Sequence, residues 1–439
     1  MFTQLSIQFL TVPIDIQSGD VDGDGIPEIF VLSSEPKKDM PDGRRVDIYA
    51  WTGSTYAHKK QISLSNKALI WDIQNGWWGI NANGLVDVST NTVLVESYSW
   101  LSTLGPTTPI SADIAFDLNN DGLAEMIWPE QGQWRIFSVD GHDWGSIAST
   151  VSGQLQHSKS RGGLKHRVTH ESASLHIADV DGQGGQDILL IAHQEALVTL
   201  TGDKALGASY RIQLPIDVEP QEDNSRPGGK DLSNIWFRDI NGDGRMDMAW
   251  QYWVTKDSWF GATAELGMAL GDGRQFGAQY STKTDYAIVD VRWADWNASG
   301  TSDLLLLGVD LGMGTLARAL LSKSVSLSLY VQPSAQNGFG EARVIWTLST
   351  PIDGSDDVDY DVGFDWTGDQ LPDMLLLQGA QLELYTNQGK EISAEKNAHI
   401  AVPNSQKLKV IATPKGHFAL TWGQESHTGQ LSWLGEPPF

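Results

Sequence analysis

The sequence predicts an all-β fold assembled from repeated strand units, and three observations carry that reading. Six copies of a nine-residue acidic loop recur along the 439 residues. An apolar run of strand length follows the loops, and cysteine is absent, which excludes a disulfide scaffold and zinc thiolate sites. The copies are Asp20-Val-Asp22-Gly-Asp24-Gly-Ile26-Pro-Glu28, Asp117-Leu-Asn119-Asn-Asp121-Gly-Leu123-Ala-Glu125, Asp179-Val-Asp181-Gly-Gln183-Gly-Gly185-Gln-Asp187, Asp239-Ile-Asn241-Gly-Asp243-Gly-Arg245-Met-Asp247, Asp295-Trp-Asn297-Ala-Ser299-Gly-Thr301-Ser-Asp303 and Asp365-Trp-Thr367-Gly-Asp369-Gln-Leu371-Pro-Asp373.

Side-chain oxygens at positions 1, 3, 5 and 9, with glycine at position 6 in five of the six, meet the needs of a tight turn around a hard cation; position 7 adds a backbone carbonyl. Up to six Ca²⁺ ions are therefore expected. An EF-hand would need a bidentate Glu at position 12 and flanking helices. Position 12 is instead Val31, Trp128, Leu190, Trp250, Leu306 or Leu376, inside runs such as Glu28-Ile-Phe-Val-Leu32 and Asp303-Leu-Leu-Leu-Leu307 that read as buried strands. The loop joins strand to strand, and the EF-hand is rejected.

With these loops the sequence resembles the FG-GAP and VCBS repeats of integrin-alpha-like β-propellers, in which Asp-x-Asp-x-Asp-Gly-x-x-Asp joins the first two strands of a blade and Phe-Gly often precedes the fourth. Phe276-Gly277 and Phe339-Gly340 occupy that second place. The resemblance spans nearly the whole chain and implies a single β-propeller domain of four-stranded blades. It implies little about activity, because function resides in sites grafted onto folds.

Taken in order, the N-terminal segment Gln4–Leu10 reads as a strand without a unit of its own. Loop starts at 20, 117, 179, 239, 295 and 365 define six units, and the long first interval holds a seventh with four strand-like runs between Ala68 and Glu96 and no metal loop. A last unit after residue 405 has three strands, Lys407–Ala412, Phe418–Trp422 and Gln430–Trp433. Donating the N-terminal strand to that blade closes the ring and removes an edge. The expectation is eight blades, over 11–65, 66–108, 109–172, 173–232, 233–285, 286–350, 351–404 and 405–439 plus 1–10, with seven as the alternative if the metal-free unit is irregular.

Thirty basic and 55 acidic residues give a net charge of −25. Eighteen of those acids sit at liganding positions, so six Ca²⁺ ions would leave −13. The remainder disfavours nucleic acid and anionic membranes as partners. No apolar run reaches the roughly 18 residues of a membrane span, and Met1–Thr11 lacks the basic start and apolar core of a signal peptide, which fits a chain whose leader has been removed. Loops with few charges and no Glu clamp are expected to bind Ca²⁺ with Kd of about 10⁻⁴ to 10⁻³ M, the class of extracellular modules. The protein is therefore expected outside the cytosol, as a secreted, cell-surface or periplasmic molecule. By charge count the Asp20 loop should bind best and the Asp295 loop worst, while Gln370 stands where the other loops have glycine.

If each metal loop joins strands A and B, the A–B and C–D turns share one face of the disc. The B–C loops (34–45, 255–263, 310–315) and D–A crossovers (152–172, 217–233, 350–359) then share the other, and all the long loops lie opposite calcium. Long loops on a rigid scaffold are where binding concentrates. The segment 159–170 is the one dense basic cluster, and aromatics flank the neighbouring loop. Arg161, Lys165, Arg167, Trp253 and Trp259 are thus the expected ligand residues, suited to an anionic glycan or a protein partner. Most of the 18 Trp read as packing between blades, and His170 and His176 as a surface and a strand-edge histidine.

The leading functional expectation is a non-enzymatic, calcium-stiffened binding or assembly module. The sequence shows no Gly-x-Ser-x-Gly, no His-Glu-x-x-His, no phosphate loop and no dinucleotide fingerprint. A polysaccharide lyase is the alternative, since some rhamnogalacturonan and ulvan lyases are calcium-bearing propellers; His166, His170, Arg161, Lys165, Arg167 and Tyr252 are of the residue types such chemistry needs. A third reading is a structural subunit of a surface assembly.

Overall fold

The computed structural model describes residues 2–35, 44–64, 68–73, 77–81, 84–88, 90, 92–96, 110–111, 113–130, 132–148, 152–160, 163–171, 173–218, 229–254, 263–310, 315, 319, 321–335, 338–351, 358–402, 406–423 and 426–434, with backbone alone for 64, 68–71, 80–81, 110–111, 129, 152–160 and 163–171. Every acidic loop sits between two antiparallel strands. Loop position 9 opens the second of them, for example Glu28–Ser34, Asp187–Ala192 and Asp373–Gln378. These B strands are buried on both faces, which is why they read as continuous apolar runs rather than alternating ones. The outermost strands, such as Leu206–Gln213 and Phe276–Lys283, alternate towards solvent.

Eight such sheets form a ring, an eight-bladed β-propeller. The A–D order in blade 1 is Asp15–Gly19, Glu28–Ser34, Arg44–Trp51 and Tyr56–Leu64, and blades 3, 4, 5, 6 and 7 repeat it from Ala115, Ser174, Lys230, Ala287 and Val358. Blade 5 thus opens three residues before the expected boundary. Blade 2 has the four expected strands from Ala68 to Glu96, and Ile110–Ser111 pairs parallel to its innermost strand as a fifth. Lacking an acidic loop, blade 2 carries a buried Asp72 that accepts the backbone N–H groups of Ile73, Ile114 and Ala115 at 2.7–2.9 Å, tying it to blade 3.

Blade 8 holds Lys407–Thr413, Gly416–Trp422 and Thr428–Leu434, and the N-terminal strand Phe2–Gln8 pairs antiparallel with the last of these from Phe2↔Leu434 to Gln8↔Thr428. The chain closes its own ring. Apolar clusters fill all eight junctions between blades. Ile16, Val31 and Tyr49 of blade 1 meet Phe418, Leu420 and Trp433 of blade 8, and Trp296 and Leu305 of blade 6 meet Met374 and Leu376 of blade 7. All six residues at loop position 12 are buried in this core. No helix of the described residues is long and apolar enough to cross a membrane.

Candidate functional site

The backbone of each acidic loop is wound around its first carboxylate. Asp20, Asp117, Asp179, Asp239, Asp295 and Asp365 each accept the N–H of position 6 at 2.7–2.9 Å. At position 5, Asp24, Asp121, Asp243 and Asp369 accept the N–H of Ile26, Leu123, Arg245 and Leu371 at position 7. This winding requires left-handed backbone twice per loop. Position 6 is left-handed in all six, Gln370 included at φ 73°, so the turn keeps its shape and Gln370 bears the strain. Position 4 is left-handed too, at Gly23, Asn120, Gly182, Gly242, Ala298 and Gly368. The run of Gly and Asn at position 4 carries the same signal in the sequence as the glycine at position 6.

Position 9 departs most from a bare liganding role. Glu28, Glu125, Asp187, Asp247, Asp303 and Asp373 are buried, and five of them accept the N–H of position 2 at 2.9–3.1 Å. The second oxygen of Asp187, Asp247, Asp303 and Asp373 takes the N–H of Thr201, Gly271, Ser334 and Asn387 at the C–D turn of the same blade. The carboxylate is a clamp between the two turns that share this face. Burial, reinforced by the neighbouring loop carboxylates, pushes Glu125 up to about 7 and Asp187 and Asp247 to about 6. A cation beside them would favour the charged form.

In two loops the oxygens already converge. Carboxylate atoms of Asp20, Asp22 and Glu28, and of Asp179, Asp181 and Asp187, lie within 4.8 Å of one another. Oxygens 2.3–2.6 Å from one Ca²⁺ stand at most about 5 Å apart, so both sets fit that ion. In the Asp20 loop, the Lys59 ammonium lies 2.7 Å from Asp22 and 3.2 Å from Glu28. The bond to Lys59 lowers the pKa of Asp22, whereas burial raises that of Glu28. Asn119 of the Asp117 loop instead turns its amide towards Asp121 and the Asp203 carbonyl.

Neighbouring loops touch. The Asn120 amide donates to the Gly184 carbonyl, a side chain at Gly182 would meet Arg245, and one at Gly242 would meet the Gly300 carbonyl at 2.9 Å. Blades 3 to 6 thus form a continuous acidic arc on one face.

Of the expected ligand residues, Arg161 and Trp259 lie outside the described residues. Lys165 and Arg167 belong to a strand, Gly163–Glu171, paired with Ser152–Ser160; this crossover is a β-hairpin where the sequence suggested a loop. Its register places Lys165 opposite Ser158 and Arg167 opposite Gln156. Trp253, at the end of strand Asp247–Val254, is half-buried and lines a pocket of about 370 Å³ with Ser233, Asn234, Trp236, Gln251 and Asp290. Of the five expected residues, Trp253 is thus the one whose side chain is described.

That pocket opens at the starts of the innermost strands of blades 5 and 6, opposite the acidic arc. Asn234 Nδ2 donates to Gln251 Oε1 at 2.9 Å, and Asp290 accepts from Tyr360 Oη at 2.8 Å and from Arg292 Nε at 2.9 Å. Sequence reasoning missed Asn234, Gln251 and Asp290, which carry no motif: Asn234 and Gln251 are cross-strand partners within blade 5, and Asp290 joins them from blade 6. His176, on the inner strand of blade 4, packs edge-on against Phe237, and burial lowers its pKa.

No family model matches the sequence, and no curated protein is similar to it. Among solved structures, the chain is similar to the biofilm matrix protein Bap1 of V. cholerae, with 12% identity over 98% of this chain and 89% of that one and a TM-score of 0.33. It is also similar to the Dos1 propeller, with 8% identity over 98% and 95% and a TM-score of 0.41. A third likeness is the Cps50 (Swd1) β-propeller domain of Myceliophteria thermophila, with 11% identity over 85% and 98% and a TM-score of 0.37.

Proposed function

We propose that the chain is a calcium-stiffened propeller of the FG-GAP/VCBS kind that acts outside the cytosol as a non-catalytic module binding a glycan on the face opposite its acidic loops. The observation that carries the ligand assignment is the Trp253 pocket. It sets an indole beside two carboxamides and a carboxylate already oriented by hydrogen bonds. Sugars present apolar C–H faces flanked by hydroxyls, and aromatic surfaces with fixed polar groups complement both. Calcium, held by side-chain oxygens of positions 1, 3, 5 and 9, supplies positive charge to a rim that otherwise gathers carboxylates. The blades and their turns supply the rigidity that keeps the pocket formed.

A glycan array probed with wild type, Trp253→Ala and Asn234→Ala tests the assignment. Binding should fall at least tenfold in both variants with the far-UV CD spectrum unchanged. Undiminished glycan binding in both would remove the site from this pocket. A protein captured by wild type but not by Trp253→Ala, with no glycan bound, would replace the glycan by a protein partner.

A further inference from the structure

We propose that Lys59 is a tethered counter-ion of the Asp20 loop that competes with Ca²⁺, so that this loop, the richest in carboxylates, fills after the Asp179 loop. The inference rests on reading these loops as calcium sites. Lys59 lies on the outermost strand of blade 1, Tyr56–Leu64, where Tyr49 pairs with His58 and Ile48 with Lys60, leaving Lys59 unpaired in a β-bulge. Bulges re-aim a side chain. Here the bulge sends the ammonium to loop positions 3 and 9, at 2.7 Å from Asp22 Oδ2 and 3.2 Å from Glu28 Oε1. Both atoms are of the kind a calcium ion must claim.

At the Asp179 loop the corresponding carboxylates meet backbone N–H groups instead: Asp181 accepts from Gln183, and Asp187 from Val180 and Thr201. Those donors are neutral. An ammonium offsets one of the four negative charges of the Asp20 loop, leaving three, the number the Asp179 loop holds without help. Calcium entering the Asp20 loop must also displace the lysine. The Lys59 side chain is 49% exposed, so the displaced ammonium has solvent to enter. The lysine thus keeps a crowded acidic turn in shape when calcium is scarce and yields when it is abundant.

Calcium stoichiometry and affinity, measured by competition with a chromophoric chelator, test this in wild type, Lys59→Met and Lys59→Met/Asp22→Asn. Lys59→Met should tighten one site at least tenfold, and the added Asp22→Asn should abolish that gain. In EDTA, Lys59→Met should melt below wild type, with a larger upward shift on adding CaCl₂. Identical binding isotherms for wild type and Lys59→Met would overturn the role of Lys59 while leaving the calcium reading intact. Absence of calcium binding in every variant would overturn the calcium reading itself. Should Lys59→Met misfold, Lys59→Gln, which removes the charge and keeps a polar tip, carries the same comparison.

Discussion

Gln370 and Ala298 hold left-handed backbone at 73° and 54° in loops where other copies use glycine. An L-residue there costs roughly 1–2 kcal/mol, partly offset because glycine loses more freedom on folding, about 0.5–1 kcal/mol. Gln370→Gly should therefore raise the urea midpoint, by about 0.5–1 kcal/mol in unfolding free energy, with m unchanged. A lowered midpoint would mean that the Gln370 side chain makes contacts worth more than the strain. The reverse case is Gly267, where an added Cβ would lie 2.1 Å from the Trp250 ring. Gly267→Ala should cost about 1–3 kcal/mol by overpacking, read from the same denaturation curves. Gln370 was legible as an anomaly because five sister loops supply the comparison. Gly267 was not, because nothing local marks the strand glycine against which a tryptophan of the neighbouring strand packs.

The N-terminal strand shows what an element gains from its partner. Gln4–Leu10 reads as strand from its own pattern, yet its place beside Thr428–Leu434 follows from the three-strand count of the last unit. Phe9, just beyond the observed strand Phe2–Gln8, is buried over Gly429, where any Cβ would come within 2.6 Å of the ring. Phe9→Ala should cost about 3–5 kcal/mol and Gly429→Ala about 1–3 kcal/mol, measured by chemical denaturation. Effects below about 0.5 kcal/mol in both would mean that ring closure does not depend on this junction. The 152–171 hairpin was less legible. Its polar, basic residues match no period-two apolar pattern, so the pairing that the backbone makes left no signal in hydrophobicity.

At the scale of the whole molecule, the six loops brace strand B at the same end of six blades. An ion that binds only the folded ring raises the melting temperature with its concentration. Thermal melts in millimolar CaCl₂ should lie several degrees above those in EDTA, and Asp181→Ala should remove more of that gain than Ser299→Ala. Superimposed melts would defeat the calcium reading, and a reversed order of the two variants would mean that geometry outranks charge at these sites. The sequence by itself determined the all-β class, the repeated strand–loop–strand unit, the eight-blade count and the closing strand. Each rests on local pattern and on counting, which a chain displays directly. Only the tertiary structure decided which residues meet. Lys59 reaches a loop more than thirty residues away, position 9 clamps to a turn across its own blade, and Asn234, Gln251 and Asp290 converge from two blades. Such meetings depend on bulges, ring curvature and the facing of neighbouring blades, and no stretch of sequence carries a mark of them, because the partners are set by distance in space rather than along the chain.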